Sequence, residues 1–268
     1  MKNLANEVRE WILKATTEAG SGHVGGSLSI VEILLVLYGG ILRHNPKEPF
    51  WNLRDRLILS KGHGCPALYV ILGLMGYYPV EEIMSLRKLG SPFQGHPDRR
   101  FFNLVEASTG SLGQGLSIGI GMALAGKLDK KDYHNFVILG DGELNEGQVW
   151  EACMFAGHHK LDNLTAIIDL NNFQLDDETK KIINMEPLID KFKSFNLKAY
   201  LCKDGHNMNE LKDKILKAKN DGKPSVVIAK TIKGKGGGAA EGNNDYHGKA
   251  LSKSELEDAL RILRNKND

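Results

Sequence analysis

Short runs rich in branched apolar residues recur along the chain, and segments with helical periodicity separate them. The runs lie at residues 57–59, 136–139, 164–168 and 226–229. Strands that are apolar throughout are typical of parallel sheets, because helical crossover connections bury both faces of such a sheet. The pattern therefore predicts an α/β fold with a parallel sheet and helices on both faces.

The helical segments are clearest at the two ends of the chain. Residues 4–19 place apolar side chains on one face, and residues 29–38 predict a more apolar, buried helix. Mixed charges at helical spacing after Lys249 predict a solvated C-terminal helix. The chain has 268 residues without an internal repeat or a low-complexity linker, so we predict one domain over residues 1–268.

Composition argues against several classes of function. The chain has 35 basic and 33 acidic residues, and a net charge of +2 gives no electrostatic reason to bind nucleic acid. No apolar run reaches the roughly 18 residues of a transmembrane helix, so we expect no membrane association. The polar N-terminus lacks the apolar core of a signal peptide, and a cytoplasmic location is the expectation.

Three of the apolar runs lead directly into polar or glycine-rich turns. The run at 57–59 precedes SKGHG (60–64), the run at 136–139 precedes GDGE (140–143), and the run at 164–168 precedes DLNN (169–172). In open parallel sheets, ligands bind at the carboxyl ends of the strands. These turns are therefore predicted to lie together at one edge of the sheet and to contact a ligand.

Asp141 and Asn171 are the strongest candidates for a metal site. A carboxylate and an amide oxygen at the ends of two successive strands suit Mg²⁺, and glycines beside Asp141 let backbone N–H groups approach a phosphate. A lone Gly-Asp-Gly is more often a tight turn, and Asn-Asn is often a helix cap. The pairing, one crossover apart, makes a diphosphate–metal site the more specific interpretation. The P-loop pattern is absent, and Leu124 stands where a dinucleotide-binding fingerprint at Gly119 needs glycine.

Among the nine histidines, His23, His63, His96 and His247 are singled out, and each lies next to glycine. Small neighbours let an imidazole reach a ligand, where it can donate to phosphate or transfer protons near neutral pH. The other five are interpreted as structural, although His158 and His206 also follow a glycine. Any single histidine beside glycine could also be structural, but four of them together with a diphosphate motif favour a ligand site.

These segments resemble the N-terminal, thiamine diphosphate-binding part of transketolases. They occur in the family's order from residue 22 to about residue 250. The matching segments are GHVGG (22–26), LSKGH (59–63), QGHPD (94–98), TGSLGQG (109–115), GDG (140–142) and HGK (247–249).

The resemblance implies a role for each candidate residue. Asp141, Asn171 and the carbonyl of Phe173 would bind Mg²⁺ or Ca²⁺. His23, His96 and His247 would contact the substrate, and Glu146 would couple cofactor sites across a dimer. Contacts to the cofactor thiamine diphosphate are implied for His63, Gly110, Ser111, Leu112, Gly142, Asn171, Leu175, Lys233 and His247.

The implied reaction transfers a two-carbon ketol unit from a ketose phosphate to an aldose phosphate, as in the pentose phosphate pathway. In the family, the glutamate that activates the cofactor and the residues that clamp the sugar phosphate lie beyond this region, on a pyrimidine-binding domain. A C-terminal domain is also expected to be absent here. We therefore predict a split enzyme in which a second chain supplies the pyrimidine domain, self-association as α₂β₂, and little activity of this chain alone.

Three alternatives remain open at this point. The chain could be half of a deoxyxylulose-phosphate synthase-like enzyme or of a 2-oxo acid dehydrogenase-like enzyme, because both would share Asp141 and Asn171. It could also be a non-catalytic paralogue that only binds a partner. The combination of His23, His96 and His247 favours a sugar substrate over the first two.

Overall fold

The computed structural model of the chain describes residues 2–265. Its centre is a five-stranded sheet in the order β1-β2-β3-β5-β4, and every neighbouring pair is parallel. The predicted α/β class is therefore confirmed. The strands are β1 Arg56–Leu59, β2 Asn135–Gly140, β3 Leu164–Leu170, β4 Lys198–Cys202 and β5 Ser225–Lys230.

Helices cover both faces of the sheet, and their bounds are as follows. They are α1 Lys2–Glu18, α2 Val24–Leu28, α3 Val31–Val36, α4 Cys65–Leu74, α5 Gln114–Leu128, α6 Gly147–His158, α7 Thr179–Ile182, α8 Leu188–Ser194, α9 Met208–Lys219 and α10 Lys253–Asn265. Alternate residues of each central strand enter two separate apolar clusters. In β2, Phe136 and Ile138 join the cluster built with α1, α3, α4 and α9, whereas Val137 and Leu139 join the cluster under α5, α6 and α8.

The strand β4 did not follow from the apolar pattern. It lies at the edge of the sheet, and only its last residue, Cys202, is buried, while Lys198 at its start is exposed. An edge strand with one neighbour needs fewer apolar residues, so its sequence resembles that of a loop.

The segment Val24–Ile41 requires a correction to the membrane argument. By length and composition it is apolar enough to cross a membrane, although the sequence led us to expect no such segment. In the structure it forms α2, α3 and a π-helical turn at Leu37–Ile41, and 83% of it is buried inside the fold. Its apolar side chains therefore belong to the protein core.

Candidate active site

Four loops meet at the carboxyl edge of the sheet. They follow β1, β2, β3 and β5, which are neighbours in the sheet order, so their first residues are brought side by side. Three of these loops contain the turns that the sequence singled out. The fourth loop begins at Thr231, and it carries Lys233.

Asp141 is buried at the end of β2, with 3% of its surface exposed. Its carboxylate accepts two backbone N–H groups, from Gly142 at 3.0 Å and from Asn172 at 2.6 Å. Asn172 adopts a left-handed conformation with φ +68°, which turns its N–H towards the carboxylate. Burial and the nearby Asp169 carboxylate raise the pKa of Asp141 to about 7. A raised pKa means that burial disfavours the charged form of the carboxylate, and a bound cation would stabilise that form.

The amide of Asn171 is held in one orientation by its neighbours. Its Nδ2 donates to Asp169 Oδ2 at 3.0 Å, and its Oδ1 accepts from the backbone N–H of Phe173 at 3.1 Å. An orientation with Nδ2 bound to a carboxylate leaves the amide oxygen as the atom available to a metal ion. Asp169 thus selects the end of Asn171 that can act as a ligand.

Asp169 is completely buried and is compensated by Lys61, whose Nζ lies 2.5 Å from Asp169 Oδ2. Ser29 Oγ also donates to this carboxylate at 2.7 Å, and Thr231 Oγ1 donates to its other oxygen. Burial alone would raise the pKa of Asp169, but Lys61 and these hydrogen bonds keep it below its usual value. The pair connects the loop after β1 to the end of β3.

The four predicted histidines form one cluster. The ring centroid of His23 lies 5.2 Å from that of His63, 5.7 Å from that of His96 and 5.7 Å from that of His247. The rings of His63 and His247 are stacked at 5.4 Å. The sequence places these residues up to 224 positions apart, and the fold brings them together.

All four imidazoles are held neutral near pH 7. Burial, followed by the charge of neighbouring groups, lowers the pKa of His23 to about 4 and that of His247 to about 3. The pKa of His63 falls well below its usual value for the same reasons, and burial with Arg87 lowers that of His96. A neutral imidazole keeps one acceptor nitrogen and one N–H, so the cluster can both give and take a proton.

Lys233 connects the fourth loop to this cluster. Its Nζ donates to Asn244 Oδ1 at 2.5 Å and lies 2.7 Å from Nδ1 of His247. The side chain is buried, and burial together with the positive charge of Lys61 lowers the pKa of Lys233 to about 8. Two lysines therefore supply positive charge on the polar side of the site.

A cavity of about 430 Å³ joins these groups. Every residue with a predicted role lines it except Ser111. The lining comprises His23, His63, His96, Gly110, Leu112, Asp141, Gly142, Glu146, Asn171, Phe173, Leu175, Lys233 and His247, together with residues that the sequence did not single out.

Three of the predicted residues differ from the rest in their surroundings. Ser111 is exposed and lines an adjoining depression that also contains His96. Glu146 is exposed at the rim of the main cavity. The N–H of Gly142 donates to Asp141, so a contact between this group and a diphosphate stays a prediction.

The turn at Gly110 requires glycine. Its φ is +145°, and a Cβ atom at this position would lie 2.9 Å from Cδ2 of His96. A larger residue would therefore be strained and would displace a histidine of the cluster.

The cavity has a polar end and an apolar wall. Nδ1 of His23 and both amide atoms of Asn145 are buried and find no hydrogen-bond partner within residues 2–265. Leu112, Leu175 and Ile183 form an apolar part of its lining. A diphosphate with a divalent metal would satisfy the first region, and an aromatic ring system would cover the second. The residues present therefore fit thiamine diphosphate with a metal at Asp141, Asn171 and the carbonyl of Phe173.

Several contributors were not predicted as site residues. Glu143 is buried and accepts from Ser60 Oγ, from Gly113 N at 2.9 Å and from Gly140 N at 3.0 Å, so it ties three loops of the site together. Lys61 and Asp169 form an ion pair that local sequence patterns do not reveal. A charged residue two positions after the end of an apolar run is the signal that could have identified Lys61.

Comparison with known proteins decides the family. The family model described as "Transketolase, thiamine diphosphate binding domain" matches residues 1–266. The chain belongs to the transketolase family. The predicted family, the α/β fold and the class of enzyme, one chain of a thiamine diphosphate-dependent transketolase, are thereby confirmed, and the alternatives raised from sequence are not favoured.

The relatives differ in length. The 6-deoxy-6-sulfo-D-fructose transketolase subunit SqwG from Clostridium sp. (strain MSTE9) is 43% identical over 98% of this chain and 96% of that protein. One of the subunits of the apulose-4-phosphate transketolase from Phocaeicola vulgatus is 37% identical over 94% of this chain and 90% of that protein. The crystal structure of transketolase from Campylobacter jejuni superposes with a TM-score of 0.91 at 34% identity, and the match covers 98% of this chain but 42% of that chain.

Proposed function

We propose that this chain is the cofactor-binding subunit of a split transketolase, and that it transfers a two-carbon ketol unit from a ketose phosphate to an aldose phosphate. The observation that carries the proposal is the convergence of the four-histidine cluster with Asp141, Asn171 and Lys233 around one cavity. Rings able to exchange protons beside an anion and metal site suit a polyhydroxylated substrate that reacts on a bound cofactor.

A second chain would complete the cavity. Leu175 and Ile183 are 65% and 55% exposed although they line it, and Ile182 beside them is 42% exposed. An apolar cavity wall open to solvent is typical of a surface that another protein covers. The relatives named as transketolase subunits support a separate partner chain. We propose that this partner carries the pyrimidine-binding domain, and that two copies of each chain form an α₂β₂ heterotetramer.

The metal site would take Mg²⁺ or Ca²⁺ through Asp141, Asn171 and the carbonyl of Phe173. Both ions prefer oxygen ligands, and three oxygens from the protein would leave further coordination positions for phosphate oxygens. On the polar side, His63, Lys233 and His247 would bind the diphosphate, and the Gly142 N–H would contribute after release from Asp141. Thiamine diphosphate, when bound, supplies the carbanion chemistry that breaks and forms the carbon–carbon bond.

The remaining residues would position the organic part of the cofactor and the sugar. The turn of Gly110, Ser111 and Leu112 would contact the aminopyrimidine, and Leu175 would pack beside the thiazolium. The rings of His23 and His96 lie edge to face with centroids 5.7 Å apart, and they would hold sugar hydroxyls or the carbonyl oxygen, while His247 would reach both ligands. Glu146, at the rim, would couple this site to a second one across the dimer. A cytoplasmic location and a place in the pentose phosphate pathway belong to the same proposal.

The test is co-expression with the protein of the neighbouring reading frame, followed by an assay with xylulose 5-phosphate as donor and ribose 5-phosphate as acceptor. We expect activity that needs both chains, thiamine diphosphate and a divalent metal. Because the relatives are named for other sugars, 6-deoxy-6-sulfofructose and apulose 4-phosphate should be included as donors.

The outcomes separate the alternatives. Full activity of this chain alone would exclude the split arrangement. Pyruvate decarboxylation by the complex would indicate a different thiamine diphosphate enzyme, and absence of cofactor binding by the complex in the presence of Mg²⁺ would indicate a non-catalytic paralogue.

A further inference from the structure

A buried ionic network lies behind the candidate active site and outside its cavity. In helix α1, Arg9 Nη2 lies 2.6 Å from Oε1 of Glu32 in α3, and both side chains are about as buried as core residues, with 5% and 6% exposed. The other oxygen of Glu32, Oε2, lies 2.9 Å from Nδ1 of His206. Burial alone would raise the pKa of Glu32, but His206 and Arg9 keep it below its usual value.

Both ends of this network bind the backbone of the loop after β5. Arg9 Nε donates to the carbonyl of Lys235 at 2.8 Å, and His206 Nε2 accepts from the N–H of Ile232 at 2.8 Å. These attachments lie on either side of Lys233. The side chain of Lys233 faces the opposite direction, into the active-site cavity, where it contacts His247.

One tautomer of His206 satisfies both of its contacts. Because Nε2 accepts from Ile232, the ring proton lies on Nδ1, which donates to the Glu32 carboxylate. Glu32 therefore fixes the His206 ring with one oxygen and the Arg9 guanidinium with the other. Removing its charge would disturb both attachments at once.

We infer that Arg9, Glu32 and His206 are positioning residues that hold Lys233, and through it His247, in the geometry needed to bind an anionic ligand. The loop needs external support because Gly234, Gly236 and Gly238 all have positive φ, and a glycine-rich backbone gains much freedom when it is released. A buried ion pair contributes little net stability, but it can fix one arrangement of the groups around it. The step from Lys233 to the diphosphate rests on the proposed function.

The first test replaces Glu32 and compares it with a matched carboxylate. Glu32→Gln keeps the shape of the side chain but loses one of its two acceptors. Asp55→Asn is the control, because Asp55 is equally buried, binds Arg43 and Lys219, and lies at the opposite end of the sheet. Thiamine diphosphate binding to the two-chain complex with Mg²⁺ is measured by calorimetry, and thermal unfolding of each variant is recorded alongside.

We expect Glu32→Gln to weaken binding of thiamine diphosphate by about tenfold, the effect of losing one charged hydrogen bond. Asp55→Asn should lower thermal stability about as much as Glu32→Gln does, but it should leave the affinity for thiamine diphosphate unchanged. Equal changes of affinity in the two variants would show a general loss of stability and would overturn the inference. The same holds if Glu32→Gln leaves the affinity unaltered.

Hydrogen exchange tests the positioning itself and does not depend on the proposed function. Amides of residues 232–247 in the full chain should exchange about tenfold faster in Glu32→Gln, and no faster in Asp55→Asn. His206→Ala provides a second, milder variant: it frees the Ile232 N–H and one oxygen of Glu32, but leaves the Arg9–Glu32 pair and its contact with the Lys235 carbonyl in place. Unchanged exchange in whichever of the two variants folds would refute the role of the network, even if wild-type protein binds no thiamine diphosphate.

A double-mutant cycle then tests the route through Lys233. If the network acts on the ligand through this side chain, Glu32→Gln should have almost no further effect on affinity in a Lys233→Ala background. Additive losses would show that the network acts elsewhere. Failure of the wild-type complex to bind thiamine diphosphate would count against the proposed function, and the exchange measurement would still decide the positioning role.

Discussion

Two buried aspartates at opposite ends of the sheet have very different surroundings. Asp55, before β1, accepts hydrogen bonds from the backbone of Arg43 and His134, and it pairs with the Arg43 guanidinium and with Lys219 at 3.1 Å each. Burial opposes its ionisation, but these contacts lower the pKa of Asp55 below its usual value. Asp141, after β2, receives two backbone N–H groups, and the pKa of this residue rises to about 7.

The difference separates a structural carboxylate from one that we propose binds a metal ion. The charge of Asp55 is neutralised by Arg43 and Lys219 of the same chain, so Asp55 stabilises the fold without any bound ligand. Burial of Asp141 costs free energy that its backbone contacts do not offset, and a cation from outside would offset it. A raised pKa together with incomplete pairing at the edge of a cavity is typical of functional sites.

The largest effect is expected from Asp141→Asn. We expect it to reduce the thiamine diphosphate-dependent activity of the two-chain complex by more than about 100-fold, because the proposed metal site would lose its only charged protein ligand. Without cofactor, the variant should be at least as stable as wild type, since the costly buried carboxylate is gone. Activity assays and thermal unfolding measure the two quantities. Activity near that of wild type with Mg²⁺ would remove Asp141 from the metal site.

The opposite pattern, a loss of stability without a loss of activity, is expected from Asp55→Asn. Removing this charge breaks the ion pair of Lys219 and leaves Arg43 paired with Asp132 alone, and it should lower the free energy of unfolding by about 2 kcal/mol. Denaturant unfolding of the chain measures this change. Activity of the folded complex should be unchanged. A selective loss of cofactor affinity would show that Asp55 also supports the cofactor site, and would contradict its purely structural role.

An intermediate effect is expected from Asp169→Asn, because Asp169 lies at the cofactor end and would act on the proposed metal site indirectly, chiefly by orienting Asn171. The variant no longer selects the orientation of the Asn171 amide, and Mg²⁺-dependent binding of thiamine diphosphate should weaken by about tenfold. Calorimetry over a range of Mg²⁺ concentrations measures this. Ser29→Ala is the control, because it removes one hydrogen bond to Asp169 and keeps its charge, so its effect should be smaller. Equal affinities for wild type and Asp169→Asn would exclude a positioning role.

The central strands could be predicted because each is apolar on both faces and is followed by a polar turn. That pattern located the strand ends that carry Asp141 and Asn171, and glycine neighbours identified the four histidines. The edge strand β4 was missed because only Cys202 within it is buried. Local patterns therefore identified residues that line the cavity.

The residues that support the ligand groups could not be predicted in this way. Lys61 and Asp169 are 108 positions apart, and Glu32 and His206 are 174 apart. A charge in an otherwise apolar context signals that a partner exists, but the fold decides which partner it is. His206, interpreted as structural from its sequence context, hydrogen-bonds to Glu32 and to the backbone N–H of Ile232, and neither residue lines the cavity.

The smallest expected effect concerns pH and a histidine at the structural end. His134 is buried, with Nε2 at 2.8 Å from Thr165 Oγ1, and burial together with Lys219 lowers its pKa to about 4. The unfolded chain, with a histidine pKa of about 6.5, binds more protons below that pH, so stability falls as the pH decreases from about 6.5 towards 4. Between about pH 7 and 5.5 this group should account for a loss of about 1 kcal/mol.

Unfolding of wild type and His134→Gln at several pH values measures this share, because the variant lacks the titrating group. The comparison can be sharpened with thiamine diphosphate and Mg²⁺. An anion beside His23 and His247 would raise the pKa of both and reduce their part of the acid sensitivity, while the share of His134 should be the same with and without ligand. If His134→Gln and wild type lose stability in parallel as the pH falls, His134 is not protonated on unfolding, and the assignment of a neutral, buried histidine to this end of the sheet is wrong.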